Sequence, residues 1–128
     1  MRKVAVPAAL AGCLLCSPTS AQTGMDRLLK KMDPQTRTMQ VCDLLGLQTF
    51  TREKKLVKPD RVRINATSAP TVQGNVVSGT GGAVRTGGQW ITFSFTCMVT
   101  PDRMKATAFT YTMGRPIPKN RIEALGLW

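Results

Sequence analysis

The sequence predicts an α+β fold: one main N-terminal helix packed on a curved antiparallel β-meander of four to five strands, with a short C-terminal helix. Three observations carry this reading. Apolar residues recur at helical spacing between Asp33 and Lys54. After Pro59 the period changes to two, and short turn-rich connections separate the alternating runs, which favours antiparallel neighbours over parallel crossovers. Cys42 falls on the apolar face of the helix and Cys97 on that of a strand, so a bridge between them would pin one layer to the other.

Residues 1–21 have the form of a secretory leader. Arg2 and Lys3 precede an apolar run from Val4 to Cys16, and the small, helix-breaking stretch Ser17-Pro18-Thr19-Ser20-Ala21 follows, placing cleavage after Ala21. The run is about 13 residues, shorter than the roughly 20 that a spanning helix needs, and no later segment comes closer. A second processing route is open because Leu10-Ala11-Gly12-Cys13 has the form of a lipobox, in which Cys13 would become a lipidated first residue. With cleavage after Ala21 both Cys13 and Cys16 are discarded, and their Cys-x-x-Cys spacing is not read as a redox motif. The remainder still carries 16 of the 18 basic residues against all 7 acidic ones. With the leader gone, Cys42 and Cys97 are the two cysteines left, and two thiols in an oxidising compartment make one bridge. Closing a loop of about 56 residues would stabilise the fold by on the order of 4 kcal/mol.

Gln22 to Lys31 is polar and basic with Leu28 and Leu29 as its only strong apolar pair, and residues 22–32 read as a flexible lead-in or one loose helical turn ahead of a single domain over 33–128. Asp33-Pro34 then supplies an N-cap and a first-turn proline, opening the main helix over Asp33 to Lys54. Its apolar face carries Met39, Cys42, Leu45, Gly46 and Thr49, broadened by Val41, Leu44 and Phe50. Arg52, Lys54, Lys55 and Lys58 crowd its C-terminal end, where the helix dipole favours positive charge.

In the second half, Val62, Ile64 and Ala66 alternate with Arg61, Arg63 and Asn65, which places the two arginines on a strand's outer face. Strands are also expected around Val72–Ser78, Ala83–Thr86, Trp90–Val99 and Lys105–Met113. The third of these puts Ile91, Phe93, Phe95, Cys97 and Val99 on one side. Trp90 lies opposite, covered by the terminal segment with Trp128 or exposed as a contact residue. Glycines 74, 79, 81, 82, 87 and 88 are read as hairpin turns, since none opens a helix or precedes a Lys-Ser/Thr pair as phosphate-cradling loops require. A short helix from about Lys119 ends before Gly126.

Composition narrows the chemistry. The chain has no histidine, which excludes serine–histidine and cysteine–histidine catalysis and histidine-ligated metal sites. The acidic residues are scattered, Asp33 and Asp60 reading as helix or turn caps, and a facing carboxylate pair would need Asp43 and Asp102 to meet. No cofactor, metal site or catalytic residue is assigned. Positive charge is spread and aromatics are 5% of the chain, so attraction to anionic surfaces is expected as a bulk effect without a specific nucleic-acid site. Asn65-Ala66-Thr67 matches a glycosylation acceptor, which has meaning only in a eukaryotic secretory route.

Several ordered motifs carry a resemblance. They are Asp33-Pro34-Gln35-Thr36-Arg37, Gln40-Val41-Cys42-Asp43, Pro59-Asp60-Arg61-Val62, Trp90, Phe93-Ser94-Phe95-Thr96-Cys97, Pro101-Asp102-Arg103-Met104-Lys105, Phe109-Thr110-Tyr111, Gly114, Ile117-Pro118 and Gly126-Leu127-Trp128. Together they resemble the bacterial family known as domain of unknown function 930, over nearly all of the chain after the leader. The resemblance implies an exported protein of Gram-negative bacteria, especially alphaproteobacteria, and brings no catalytic residues with it. Lys119-Asn120-Arg121-Ile122 departs from it, standing where further aromatic or acidic residues are expected and making the tail more basic.

The functional expectation is a small periplasmic, disulfide-stapled module that binds rather than catalyses, its counterpart an envelope partner or an anionic surface of lipid headgroups or polymer. The candidate binding residues are Arg85, Trp90, Arg61, Asp43, Asp102 and Lys105. A second reading is a hydrolase-like enzyme gathering Asp43, Asp102, Arg85 or Lys105 in a pocket at the helix–sheet junction. A third is an inhibitor or chaperone-like module presenting a sheet edge or hairpin tip.

Overall fold

A computed structural model describes residues 20–128, so the leader and the lipobox expected before them lie almost wholly outside the described residues. The elements run α1 (Ser20–Lys31), α2 (Pro34–Glu53), β1 (Pro59–Arg63), β2 (Thr71–Gln73), β3 (Val76–Thr86), β4 (Gln89–Val99), β5 (Ala106–Pro116) and α3 (Lys119–Ile122). The five strands form one antiparallel sheet in the order β1-β3-β4-β5, with β2 pairing the other half of the β3 edge that β1 occupies. Helix α2 packs on one face. The architecture is α+β, with a short C-terminal helix.

Helix α2 starts and stops where its end chemistry dictates. Asp33 is the N-cap, its Oδ1 accepting from the Thr36 N–H at 2.9 Å and its Oδ2 from the Thr36 hydroxyl at 2.8 Å, and Lys54 closes the helix in the left-handed region. The buried stripe is Thr38, Val41, Cys42, Gly46, Thr49 and Phe50. Leu44, expected to broaden that stripe, is 37% exposed because the sheet lies under the 42/46/49 line and Leu44 falls to its flank. Gly46 sets the approach, since a Cβ there would sit 3.0 Å from the Phe109 ring and 3.2 Å from Val62.

Helix α1 is longer than the single turn expected from Leu28 and Leu29. Its support comes from tertiary contacts rather than from its own sparse apolar pattern. Leu29 is buried, Met25 and Met32 pack beside it, and the Arg37 guanidinium on α2 donates to three carbonyls at its end: Leu29 at 2.8 Å, Met32 at 2.9 Å and Lys30 at 3.4 Å. A fourth bond, to the Asp102 carbonyl at 2.9 Å, ties the same guanidinium to the β4–β5 turn.

The glycines divide into two kinds. Gly74 and the pair Gly87-Gly88 have positive φ and make turns, the second joining Thr86 to Gln89 as a two-residue hairpin. Gly79, Gly81 and Gly82 are not turns as expected but lie inside β3, where a bulge interrupts the pairing with β4 between Gly79/Phe95 and Gly82/Phe93. Close approach is what demands glycine here. A Cβ on Gly81 would stand 2.2 Å from the Ser68 Oγ, and one on Gly82 2.4 Å from the Phe93 ring, because the β1–β2 connection crosses the bulge on one side and Phe93 presses from the other.

The main core lies between α2 and the sheet. Cys42 and Cys97 are fully buried there and joined by a disulfide across 55 residues of sequence. Phe50, Phe93, Phe95 and Phe109 surround them, with Phe50 and Phe93 centroids 5.3 Å apart. Tyr111 closes one end, its hydroxyl donating to the Glu53 carboxylate. A second, smaller core forms on the opposite face, where Ala66, Ala83, Trp90, Ile117 and Leu127 are buried together. Trp90 is therefore covered by the terminal segment. Trp128 itself is not part of the cover and stays 65% exposed.

Candidate functional site

Counting outward from Gly87-Gly88 places Arg85 directly opposite Trp90, and the β1–β3 register places Arg61 opposite Arg85. Three of the sequence candidates thus form one row across β1, β3 and β4 on the face away from α2. The row continues into the tail, where the Ile117 N–H donates to the Trp90 carbonyl at 2.8 Å. Beside it lies a groove of about 590 Å³. Trp90, Ile117, Ile122 and Trp128 give it an apolar lining, and Arg85 and Lys119 add positive charge.

The arginines of the row are held by the fold. The Arg85 guanidinium pairs in two-pronged fashion with Asp60, Nε to Oδ1 at 2.8 Å and Nη2 to Oδ2 at 3.1 Å, and its Nη1 donates to the Trp128 backbone oxygen. Asp60 is therefore an ion-pair partner and not the cap expected from sequence. Arg85 holds its carboxyl below the usual range, and Asp60 in turn raises the guanidinium above its own. The Arg85 guanidinium carbon stands 5.9 Å from the Trp90 ring centroid, and that of Arg61 lies 4.3 Å over Trp128. Arg63 Nη1 reaches the Gly126 carbonyl at 3.3 Å. The tail is strapped onto the outer face by three arginines from two neighbouring strands.

The remaining candidates lie elsewhere. Asp43, half-buried on α2, accepts the Ile64 N–H on Oδ1 at 2.8 Å and lines a separate groove with Arg61 and Arg63. Burial pushes its carboxyl up to about 7, against the lowering pull of the Ile64 N–H and of the Arg63 and Arg61 charges. Asp102 organises the β4–β5 turn, its Oδ1 accepting from the Thr100 hydroxyl at 2.7 Å and the Met104 N–H at 3.0 Å, which lower its pKa. Lys105 lines a third groove between α1 and α2. Asp43, Asp102, Arg85 and Lys105 therefore do not gather into the pocket that the enzymatic reading requires. Among the described residues no three cysteine or carboxylate side chains meet as metal ligands, and no helix is long and apolar enough to cross a membrane.

Lys119 and Ile117 also line the Trp90 groove, and Asp60 holds Arg85 beside it; sequence reasoning places none of the three there. Asp60 has no recognisable partner in sequence, since it meets Arg85 only through the long-range pairing of β1 with β3. The Arg85–Trp90 pairing is legible in principle, from the arithmetic of a two-residue hairpin.

Comparison with curated proteins and with solved structures returns no match. The sequence model described as Domain of Unknown Function 930 matches residues 29–127, from the buried Leu29 of α1 to the buried Leu127 that closes the outer core. That span covers the disulfide, the sheet and the arginine row, and the chain belongs to the Domain of Unknown Function 930 family.

Proposed function

We propose that this protein is an exported module of the cell envelope that binds, without transforming, an anionic amphiphile through the Trp90 groove. The observation that carries the reading is the groove's composition: an apolar lining around Trp90 and Ile117, with Arg85 and Lys119 beside it. A concave apolar lining with a few charged groups suits a ligand that joins a phosphate or carboxylate to an apolar body. Lipid headgroups and acidic envelope polymers share that chemistry. The leader-like first 21 residues and the Cys42–Cys97 disulfide favour an oxidising, extracytoplasmic setting, and the basic balance of the chain favours attraction to its surfaces.

Co-sedimentation tests the binding. Vesicles containing phosphatidylglycerol should retain the protein at low ionic strength and neutral phosphatidylcholine vesicles should not. Lys119→Glu should weaken retention without altering the thermal melt. Equal retention on both vesicle types, or on neither, contradicts the reading. Export is tested separately by fractionating the native host and weighing the protein intact before and after reduction. A chain starting near residue 22 and gaining two alkyl groups only after reduction fits it, whereas an uncleaved cytoplasmic chain does not.

A further inference from the structure

A second groove, of about 370 Å³, runs between helix α2 and the outer edge of β1, away from the Trp90 site. Its helical wall is a single stripe: Thr36, Met39, Gln40, Asp43, Leu44 and Leu47. Its strand wall is β1, an edge of the sheet. Val62 borders the groove, and its side chain packs in the core under α2.

The Asp43–Ile64 bond fixes which way that backbone points. The Ile64 N–H is directed at α2, away from β3. Hydrogen-bonding direction alternates along an antiparallel strand, so the N–H and C=O of Val62, two residues earlier, face the same side. No side chain and no loop backbone among the described residues pairs with either group. Unpaired donors and acceptors on an edge strand beside a helix are a template for one more strand.

We infer that the α2–β1 groove binds an extended segment of another polypeptide, added as a strand along β1, in which apolar and acidic residues alternate. The alternation follows from the two sides such a strand would meet. Its inward side chains would lie against Met39, Leu44 and Leu47, of which Leu44 is the most exposed. Its outward side chains would stand beside Arg61 and Arg63, neither of which is in a salt bridge among the described residues, and opposite charges across a strand pair are favourable. The helical wall from Thr36 to Leu47 spans about 16 Å at 1.5 Å per residue, room for about five residues of extended chain. The two grooves share no lining residue, although Arg61 and Arg63 also hold the tail beside Trp90, and this site would stand if that one failed.

Amide NMR on the whole protein tests the inference in two steps. In the free protein the Val62 N–H should exchange rapidly with solvent while Val84, its neighbour in β3, is protected. A short peptide alternating glutamate with valine or leucine should then slow Val62 exchange and shift the β1 and α2 flank resonances. A peptide of the same composition with its apolar residues in one block should not. Leu44→Asp should weaken binding of the alternating peptide roughly tenfold and leave vesicle retention at the Trp90 groove unchanged. A slowly exchanging Val62 N–H in the free protein, or equal shifts from both peptides, overturns the inference whatever the variant does.

Discussion

Asp43 on α2 accepts the backbone N–H of Ile64 at 2.8 Å, so one helical carboxyl takes up the first backbone donor beyond β1 and locks the helix to the sheet edge. The bond places an ionisable group where water is scarce. Its pKa rises from 3.8 to about 7, so between those values the folded protein holds a proton that the unfolded chain releases. The penalty of ionising Asp43 is therefore absent below about pH 4, grows as pH rises toward 7, and stays in full above it. Asn at this position keeps an oxygen acceptor for Ile64 and carries no charge. Asp43→Asn is predicted to melt at a higher temperature than the wild type at mildly alkaline pH, with the gap closing on acidification. Thermal melts across that range check it, and a gap independent of pH contradicts it.

The β3 bulge makes a sharper prediction about glycine. A methyl group on Gly82 meets the Phe93 ring at 2.4 Å, and Phe93 is packed against Phe50, Phe95 and Phe109. Gly82→Ala is predicted to cost about 1–3 kcal/mol by overpacking. At Gly24 in α1 a methyl group would have nothing within 4 Å, and Gly24→Ala is predicted to stabilise by up to about 1 kcal/mol through helix propensity. Urea midpoints of the two variants should move in opposite directions.

What can be read from the sequence depends on the range of the interaction that decides it. Asp33-Pro34 and the period-two run after Trp90 are local signals, and the helix start and the β4 inner face follow from them almost residue for residue. Gly79, Gly81 and Gly82 look like a turn in sequence, yet the reason for glycine is Ser68 and Phe93, partners that only the folded sheet brings together. Helix α1 has the same origin, in Arg37 and Leu29. Of the site, Arg61, Arg85 and Trp90 stand out in sequence and do meet, whereas Asp43 meets only Arg61 of these, in the other groove, and Asp102 and Lys105 lie apart from them.

Arg37 supplies another test, because one side chain serves two elements. Its guanidinium bonds carbonyls at the end of α1 and in the β4–β5 turn. Arg37→Ala is predicted to cost on the order of 2 kcal/mol and to speed amide exchange in α1 before any other helix. Arg37→Lys should rescue little, since an ammonium lacks the planar fork that reaches several carbonyls at once.

The disulfide joins α2 to β4, the two central elements of the main core. Its reduction is predicted to lower stability by on the order of 4 kcal/mol through the enlarged unfolded ensemble. Urea unfolding with and without reductant measures the difference, and Cys42→Ala with Cys97→Ala should reproduce it.

The central claim, that the Trp90 groove is a binding site, is tested most directly by intrinsic fluorescence. The chain has two tryptophans and both line the groove, so Trp128→Phe leaves the buried Trp90 as the sole reporter. Titration of that variant with short-chain phosphatidylglycerol is predicted to shift Trp90 emission saturably, with Lys119→Glu displacing the midpoint to higher concentration. Binding detected by sedimentation with no change in Trp90 emission would place the ligand elsewhere and contradict the account.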